Sequence, residues 1–354
     1  MNDRLPALPD LSLPEMEALF RSWDQPAYRA RQVYRQLYVN LADSFEAMSD
    51  LPVVLRQQLA RETRWTELQL LRVLSGDKGQ TRKALFQVEG GPPVEAVLML
   101  YRDRATVCVS TQSGCAMNCS FCATGRMGFR LNLSAGQMIE QVLWAARELR
   151  AGKPEGRRLT NVVFMGMGEP FNNYDRWWAC VERLHDPQGF NLGARSFTVS
   201  TVGVIPGIRR LAREALPVNL AVSLHAPDDA LRNRLVPLNK KYPIAPLMAA
   251  VRNYISQTHR RVSFEYVLLQ GVNDGSEQAR GFAALLRDRD APLLCHVNLI
   301  PWNPVPGTPL KSSDKNKALE FQRILETSNI PCTLRTQRGV DIAAACGQLA
   351  GGVV

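Results

Sequence analysis

The chain has 354 residues, of which 45% are hydrophobic and 21% are charged. This composition is that of an ordinary globular protein, either one large domain or a large domain with a small satellite. No apolar run is long enough to cross a membrane, and the polar start Met1-Asn2-Asp3-Arg4 lacks the apolar core of a signal peptide. We therefore expect a cytoplasmic protein that does not bind a membrane.

The net charge is +10, and the excess of cations is uneven along the chain. Between Arg195 and Arg261, eleven Lys and Arg residues stand against only three acidic residues. Such a span can be a solvated basic surface, or it can face the phosphates of a nucleic acid. Charge alone favours neither interpretation, so the choice depends on the chemistry predicted below.

The first ninety or so residues differ in pattern from the rest. Ser12 and Glu15 resemble a capping box, and Tyr28–Tyr38 has helical spacing. Two short strands are predicted at Leu68–Val73 and Lys83–Val88, before Gly90-Gly91-Pro92-Pro93 interrupts regular structure. We place a boundary there, between an accessory domain (1–90) that is a candidate for RNA docking and a main domain (91–354).

Beyond this boundary, strand-like and helix-like segments alternate. The clearest helix begins at Ser134, with Gln137 completing a capping box. Alternation of this kind predicts an α/β fold with parallel strands and helices outside. Six units suggest an incomplete (β/α)6 barrel, in which reactive groups lie at the carboxyl ends of the strands. The predicted strands are Ala105–Ser110, Leu159–Met165, Ser196–Val202, Val218–Leu224, Val262–Leu269 and Cys295–Ile300.

The strongest motif is a triplet of cysteines directly after the first of these strands, at Cys115, Cys119 and Cys122. Three thiolates this close together can hold one small inorganic centre, and thiolates favour zinc or iron–sulfur clusters. Structural zinc normally has four ligands, and no fourth Cys or His follows closely. The spacing favours an iron–sulfur cluster with one open iron. The alternatives are a zinc site completed from a distance and cysteines that only fill the core.

Further candidate ligand-binding residues lie at or just after the ends of other predicted strands. Each one alone is explained equally well as a cap, a turn or a buried polar group. Together they are candidates for a ring around one ligand at the barrel mouth, and a carboxylate among them could pair with an ammonium group. These candidates are Gly168, Glu169, Ser200, Ser223, Leu224, His225 and Asn303.

Two further cysteines lie outside the triplet. Cys108 is on the first predicted strand, where a buried small hydrophobe is the simpler explanation. Cys346 is near the end of the chain, precedes a glycine and has Arg338 and Asp341 nearby, a setting that allows an accessible thiol.

The C-x3-C-x2-C spacing resembles that of the radical S-adenosylmethionine superfamily, and the whole chain is similar to the RlmN family. The similarity runs from Gln32-Val33-Tyr34 to Ala-Ala-Cys346-Gly-Gln-Leu. Phe171 in place of leucine and Ala123-Thr124-Gly125-Arg126 in place of Ser-Thr-Ala-Gln are small departures that remove no proposed ligand. The matching motifs are Cys108-Val-Ser, Cys115-Ala-Met-Asn-Cys119-Ser-Phe-Cys122, Gly166-Met-Gly-Glu-Pro170, Ser223-Leu-His225, Asn239-Lys-Lys-Tyr242 and Asn298-Leu-Ile-Pro-Trp-Asn303.

The resemblance implies a radical S-adenosylmethionine barrel and methylation of carbon 2 of an adenine, in 23S rRNA and in the anticodon loop of tRNAs. It implies one 4Fe-4S cluster held by the three cysteines, two molecules of S-adenosylmethionine per turnover, and an electron donor such as flavodoxin or ferredoxin. The Gly-Met-Gly-Glu segment resembles the element that holds the methionine amino group. With RNA as substrate, the basic span is expected to hold the RNA backbone at the barrel mouth.

Residue roles follow from the same resemblance. Cys346 accepts a methyl group, and a 5′-deoxyadenosyl radical then removes hydrogen from that group, which bonds to carbon 2. Glu95 is mapped onto the base that removes the ring hydrogen, although a solvated strand residue is an equal alternative from sequence alone. Cys108 attacks the sulfur of Cys346 and forms a disulfide that releases the product.

Two other functions remain open. A related enzyme class methylates carbon 8 of the same rRNA adenine, but Pro170 and the N-terminal segment favour the carbon-2 class. A non-catalytic iron–sulfur sensor that binds RNA needs only the cysteine triplet and basic charge, and it leaves Cys108 and Cys346 unexplained.

Overall fold

Three helices open the chain, and local sequence defines the first of them. In this computed structural model, which describes residues 5–152, 157–288 and 291–352, the predicted capping box is present. The Ser12 backbone N–H donates to Glu15 Oε2 at 2.7 Å, and the Ser12 hydroxyl accepts from the Glu15 N–H. The helices are α1 (Leu13–Ser22), α2 (Ala27–Tyr38) and α3 (Val53–Glu62).

A ten-stranded sheet then forms the scaffold. In pairing order its strands are β1 (Leu68–Gly76), β2 (Thr81–Val88), β3 (Gly91–Leu100), β4 (Ala105–Cys108), β7 (Asn161–Phe164), β8 (Phe197–Thr201), β9 (Asn219–Ser223), β10 (Val262–Leu268), β13 (Cys295–Pro301) and β14 (Cys332–Leu334). From β4 to β14 neighbouring strands are parallel. The six strands predicted for the barrel are all present, with ends within two residues of the prediction. They are β4 (Ala105–Cys108), β7 (Asn161–Phe164), β8 (Phe197–Thr201), β9 (Asn219–Ser223), β10 (Val262–Leu268) and β13 (Cys295–Pro301).

The incomplete α/β barrel is thus confirmed, with one addition. A seventh parallel strand, β14 (Cys332–Leu334), pairs with β13. It has only three residues, too few to show an alternating pattern in the sequence. The helices that connect the parallel strands are α5 (Ala135–Ala151), α6 (Tyr174–His185), α7 (Ile205–Leu211), α8 (Asp229–Leu235), α9 (Ile244–Thr258), α10 (Ser276–Leu285) and α11 (Lys315–Thr327).

Before β4, three antiparallel strands extend the sheet: β1 (Leu68–Gly76), β2 (Thr81–Val88) and β3 (Gly91–Leu100). The prediction that Gly90-Gly91-Pro92-Pro93 interrupts regular structure was only partly right. Gly90 makes the turn with a φ of 77°, but β3 begins directly at Gly91. The two prolines are tolerated because the pairing of β2 with β3 is irregular at this end. The proposed boundary at residue 90 therefore falls at a turn inside one sheet.

The N-terminal helices share one apolar core with the barrel, from Leu8 and Phe20 to the strands. Helix α5 links the two parts, since Glu140 accepts the backbone N–H groups of Glu67 and Leu68, both at 2.9 Å. Its predicted capping box at Ser134 is also present. No described helix has the length and apolar character needed to span a membrane.

Short elements complete the description. Two small antiparallel ribbons lie outside the main sheet. Their strands are β5 (Gln112–Gly114) with β6 (Phe129–Asn132), and β11 (Arg287–Asp288) with β12 (Ala291–Pro292); α4 (Ala123–Arg126) lies within the first ribbon.

Candidate active site

The cysteine triplet lies on a loop enclosed by the β5–β6 ribbon, which we call the cluster loop (residues 115–126). The ribbon closes tightly at Gly114, whose φ is 71° and where a Cβ would lie 1.9 Å from the Gly128 carbonyl oxygen. Gly125 also packs closely, since a Cβ there would lie 2.9 Å from the Cys119 nitrogen. Glycine is therefore required at both positions, and the ribbon folds the three thiols back toward one another.

The three thiols are close enough to interact electrostatically. Burial raises the pKa of Cys115 to about 12, with a further contribution from Cys122, and raises the pKa of Cys119 well above its ordinary value. Thiols in this environment stay protonated unless a metal centre stabilises the thiolates. The arrangement fits a cluster that takes three cysteine ligands.

In the part of the chain that the structure describes, no three His, Cys, Asp or Glu side chains are grouped as ligands of one metal ion. A four-iron cubane is larger than one ion, so its cysteine ligands stand further apart than ligands of zinc.

Glu169 is placed at the carboxyl end of β7 by the glycine that precedes it. Gly168 has a φ of 105°, and a Cβ there would lie 2.6 Å from the side chain of Gln112. The buried Glu169 carboxylate accepts the backbone N–H groups of Phe171 at 3.1 Å and Val202 at 2.9 Å. Burial raises the pKa of Glu169 to about 7, against the effect of those hydrogen bonds. Its negative charge acts on Cys115 and Cys119, so it faces the cluster loop.

The predicted polar residues after β8 and β9 are brought together. The hydroxyls of Ser200 and Ser223 lie 3.2 Å apart on neighbouring strands, and both residues are half-buried. Leu224 is fully buried, and its N–H donates to the Glu265 carbonyl. Their backbone and hydroxyl groups can orient a ligand, whereas the Leu224 side chain contributes apolar contact.

His225 is buried, and its Nδ1 accepts the Val267 N–H at 3.0 Å. Burial, and secondly the charge of Arg232, lower the pKa of His225 to about 3. The ring is therefore neutral, and it packs edge-on against Phe121 of the cluster loop at 4.6 Å. His225 thus supports the loop and the mouth without carrying charge.

Sequence reasoning missed Arg232, a fully buried arginine on α8. Its guanidinium donates to the carbonyls of Val202 at 2.6 Å and Leu224 at 3.0 Å and to Asn239 Oδ1 at 2.7 Å. Burial lowers the pKa of Arg232 to about 10, so the group stays charged. The thiolate form of Cys119 would act in the opposite direction and raise that pKa. One indication in the sequence that Arg232 is buried is its position on the apolar face of a short helix, beside Leu231 and Leu235.

Cys108 and Cys346 are widely separated in sequence but lie near each other in the fold. Cys108 ends β4, and its pKa is raised by burial and by the charge of Cys346. Cys346 is exposed, although surrounding protein still raises the pKa of its thiol through desolvation and the charge of Glu265. Cys122 also acts on Cys346, which places the accessible thiol beside the cluster loop.

All eight cysteines of the sequence are described, and all are free thiols. The disulfide that the resemblance implies is therefore absent from this structure. A disulfide between Cys108 and Cys346 stays a prediction about one stage of a reaction cycle.

Asn303 follows β13 and binds the Cys346 segment directly, where we define that segment as residues 335–351. Its Nδ2 donates to the Cys346 carbonyl at 3.0 Å, and its buried Oδ1 has no hydrogen-bond partner among the described atoms. An unpaired buried acceptor is costly, so this oxygen is suited to receive a donor from a ligand.

Glu95 is not a solvated strand residue. It is buried on β3 and forms an ion pair with Lys83 of β2, at 2.8 Å. Its other oxygen accepts the backbone N–H groups of Ala350 at 2.8 Å and Gly351 at 3.1 Å. Lys83, which sequence reasoning missed, is buried as well.

The basic span does not form a single surface. Arg195 precedes β8, and Arg260 and Arg261 precede β10, so these cations lie at the amino ends of the strands, opposite the mouth. Arg232 is buried inside the site. Only part of the span, around Lys240 and Lys241 after α8, is on the side of the cluster loop.

Comparisons with known proteins agree with this geometry. The model of the radical SAM superfamily matches residues 109–283, and that of the ribosomal RNA large subunit methyltransferase N-terminal domain matches residues 7–64. The latter ends before β1, so it covers the three N-terminal helices.

The similarity to individual proteins extends over nearly the whole chain. A probable dual-specificity RNA methyltransferase RlmN from Chloroflexus aurantiacus is 62% identical, over 97% of this chain and 92% of the relative. A protein of the same description from Moorella thermoacetica is 46% identical, over 95% and 94%. The crystal structure of a radical SAM methyltransferase from Sphaerobacter thermophilus has a TM-score of 0.94 at 52% identity, covering 98% of this chain and 99% of that one. The chain therefore belongs to the RlmN family of the radical SAM superfamily.

Proposed function

We propose that this protein methylates carbon 2 of an adenine in 23S rRNA and of an adenine in the anticodon loop of tRNAs. The observation that carries the proposal is the meeting of Cys108, Cys346 and the cluster loop at one barrel mouth. Carbon 2 of adenine is electron-poor and has no lone pair to attack a methyl sulfonium, so polar methyl transfer is unsuitable. Relatives described as dual-specificity RNA methyltransferases support RNA as the substrate class.

Membership of the radical SAM superfamily implies a 4Fe-4S cluster and S-adenosylmethionine. Cys115, Cys119 and Cys122 would hold the cluster, and two molecules of S-adenosylmethionine would be used per turnover. When bound, these groups would supply the radical chemistry: a 5′-deoxyadenosyl radical, and an acceptor for the one electron released after the addition to adenine. The contacts to S-adenosylmethionine would come from the residues around the mouth: Gly168, Glu169, Ser200, Ser223, Leu224, His225 and Asn303.

Cys346 is the residue that carries the methyl group. Its sulfur accepts the group as S-adenosylhomocysteine leaves, and the S-methyl group then gives up a hydrogen atom. The resulting S-methylene carbon bonds to carbon 2, which joins Cys346 to the RNA. Glu95 takes the ring hydrogen as a proton. The exposure of Cys346 supports this role, because the substrate adenine must reach the group carried on its sulfur.

Cys108 then resolves the bond between protein and RNA. Its thiolate attacks the Cys346 sulfur, so that an S–S bond forms while the bond from that sulfur to the methylene carbon breaks. The electron pair of the broken bond takes up a proton and completes the methyl group on adenine. An electron donor such as flavodoxin or ferredoxin would supply the single electron that cleaves S-adenosylmethionine. Two electrons and two protons from a cellular dithiol would return the disulfide to two thiols. The site of action would be the cytoplasm, with its rRNA and tRNA.

The test separates the two cysteines by the step at which each variant fails. Cys346→Ala should form no protein–RNA adduct and no 2-methyladenine. Cys108→Ala should accumulate the adduct, seen on a denaturing gel as a slow band that nuclease removes. Cys180→Ala is the matched control, because that buried cysteine lies on α6. Wild-type activity in either site variant would overturn this route.

Nucleoside mass spectrometry of the RNA distinguishes the alternative functions. The proposal requires a methyl group on carbon 2. A methyl group on carbon 8 would show the related enzyme class, and bound RNA without modification or 5′-deoxyadenosine would show an iron–sulfur sensor.

A further inference from the structure

A buried ion pair attaches the part of the Cys346 segment around the cysteine to the antiparallel strands. The start of the segment is held separately, by hydrogen bonds of Asp77 and by Arg338. Lys83 and Glu95 lie diagonally across β2 and β3, since Lys83 is opposite Val97 in the register. Diagonal residues of this kind share one face of a sheet. Only 8% of the Lys83 side chain and 2% of the Glu95 side chain are exposed, and the two charged groups are 2.8 Å apart.

Each member of the pair binds the segment on a different side of Cys346. The Lys83 ammonium donates to the Ala343 carbonyl at 3.0 Å, before the cysteine. The Glu95 carboxylate accepts the N–H groups of Ala350 and Gly351, after the cysteine. Both flanks of the reactive thiol are therefore held by one pair of charges.

The segment needs such anchors because it has little regular structure of its own. Its described helical element is the single turn Val340–Ile342, and Ala343 follows with a left-handed φ of 49°. A residue with a side chain rarely adopts this conformation unless surrounding contacts hold it there. Lys83 binds the carbonyl of that very residue.

We propose that Lys83 is a positioning residue for Cys346. Its ammonium holds Ala343 directly, and its charge keeps the Glu95 carboxylate in place to hold Ala350 and Gly351. Lys83 contacts the segment backbone and the carboxylate of Glu95, the proposed base, and it does not contact Cys346. Adduct formation precedes the step assigned to Glu95, so an effect of Lys83 on adduct formation acts through the segment. The consequence for catalysis rests on the proposed function, whereas the placement of the segment does not.

The placement is tested on the full-length apoprotein by peptide-resolved hydrogen exchange and by alkylation of Cys346. Lys83→Met should raise exchange at residues 343–351 by about tenfold, as expected for the loss of charge-assisted hydrogen bonds, and should speed alkylation of Cys346. Lys83→Arg keeps the charge and donors and should remain near the wild type. Lys78→Met is the control, because Lys78 is exposed on the same hairpin.

Exchange at β10 separates local release from general unfolding. β10 should keep its wild-type exchange in Lys83→Met. Unchanged exchange at 343–351, an equal increase at β10, or the same loss in Lys83→Arg would each overturn the proposal.

The catalytic consequence is measured in the Cys108→Ala background as the rate of adduct formation. Lys83→Met should lower the single-turnover rate constant of adduct formation at saturating RNA and leave the RNA concentration for half-maximal rate unchanged, because the lysine is buried. A wild-type rate of adduct formation in a Lys83→Met variant whose hydrogen exchange at 343–351 is raised would overturn the positioning role. Absence of the adduct when Lys83 is intact would instead refute the proposed function, and the exchange result would still stand.

Discussion

The cluster loop and the Cys346 segment both bring thiols to the same mouth, but they are built in opposite ways. The cluster loop closes on itself through the β5–β6 ribbon and its glycines, so its cysteines are neighbours in sequence. The Cys346 segment is held by partners from distant parts of the chain, among them Lys83 with Glu95, Thr124 and Asn303. Damage inside the loop should therefore remove the cofactor, whereas damage to a distant anchor should displace a thiol and leave the cofactor bound.

The largest loss of cofactor and activity is expected for Cys119→Ala, which removes a proposed ligand from the cluster loop. We propose that three thiolates are the complete protein ligand set, so the variant should lose most cluster absorbance after anaerobic reconstitution and form no 5′-deoxyadenosine. Iron content and visible absorbance measure this. Cys346→Ala is the control and should keep its cluster, because Cys346 lies outside the cluster loop. Full cluster content in Cys119→Ala would contradict the ligand assignment.

A smaller effect is expected for Glu169→Ala, which tests whether cofactor and cluster sites are separable. The variant should retain the cluster but bind S-adenosylmethionine roughly ten- to a hundredfold more weakly, because a charged hydrogen-bond partner is lost. Anaerobic equilibrium dialysis measures the affinity. Glu182→Ala, an exposed change on α6, is the control. An unchanged affinity would remove Glu169 from the site.

The smallest effect is expected for the stability contributed by Glu140. This residue makes a long-range contact, between α5 and the start of β1, away from the barrel mouth. Burial raises its pKa to about 7 from an ordinary value of 4.5. Between these values the folded protein holds a proton that the unfolded chain has lost, so this carboxyl makes the protein more stable near pH 5 than near pH 8. The free energy of unfolding should fall by roughly 1–3 kcal/mol as the pH rises through 7.

Glu140→Gln cannot titrate and should lack this component. Denaturant titrations of apoprotein across that pH range measure the difference between the wild type and the variant. A difference that does not vary with pH would show that Glu140 titrates alike in the folded and unfolded states.

Sequence patterns predicted the parts of the molecule that depend on local order. The capping boxes at Ser12 and Ser134 are satisfied within four residues, and the six main strands follow from short apolar runs. The cysteine triplet is likewise a local feature. Periodicity and spacing carry this information because the interacting residues are neighbours along the chain.

The tertiary structure alone decided which distant residues meet. Nothing in the sequence pairs Lys83 with Glu95, nor indicates that both hold the segment around Cys346. The burial of Arg232 was equally hidden, since its partners come from the ends of other strands. These contacts depend on sheet register and on the return of the chain end to β2 and β3. Residue type and spacing therefore predicted the chemistry proposed for the thiols, and long-range packing determined where Cys346 is held relative to the cluster loop and Cys108.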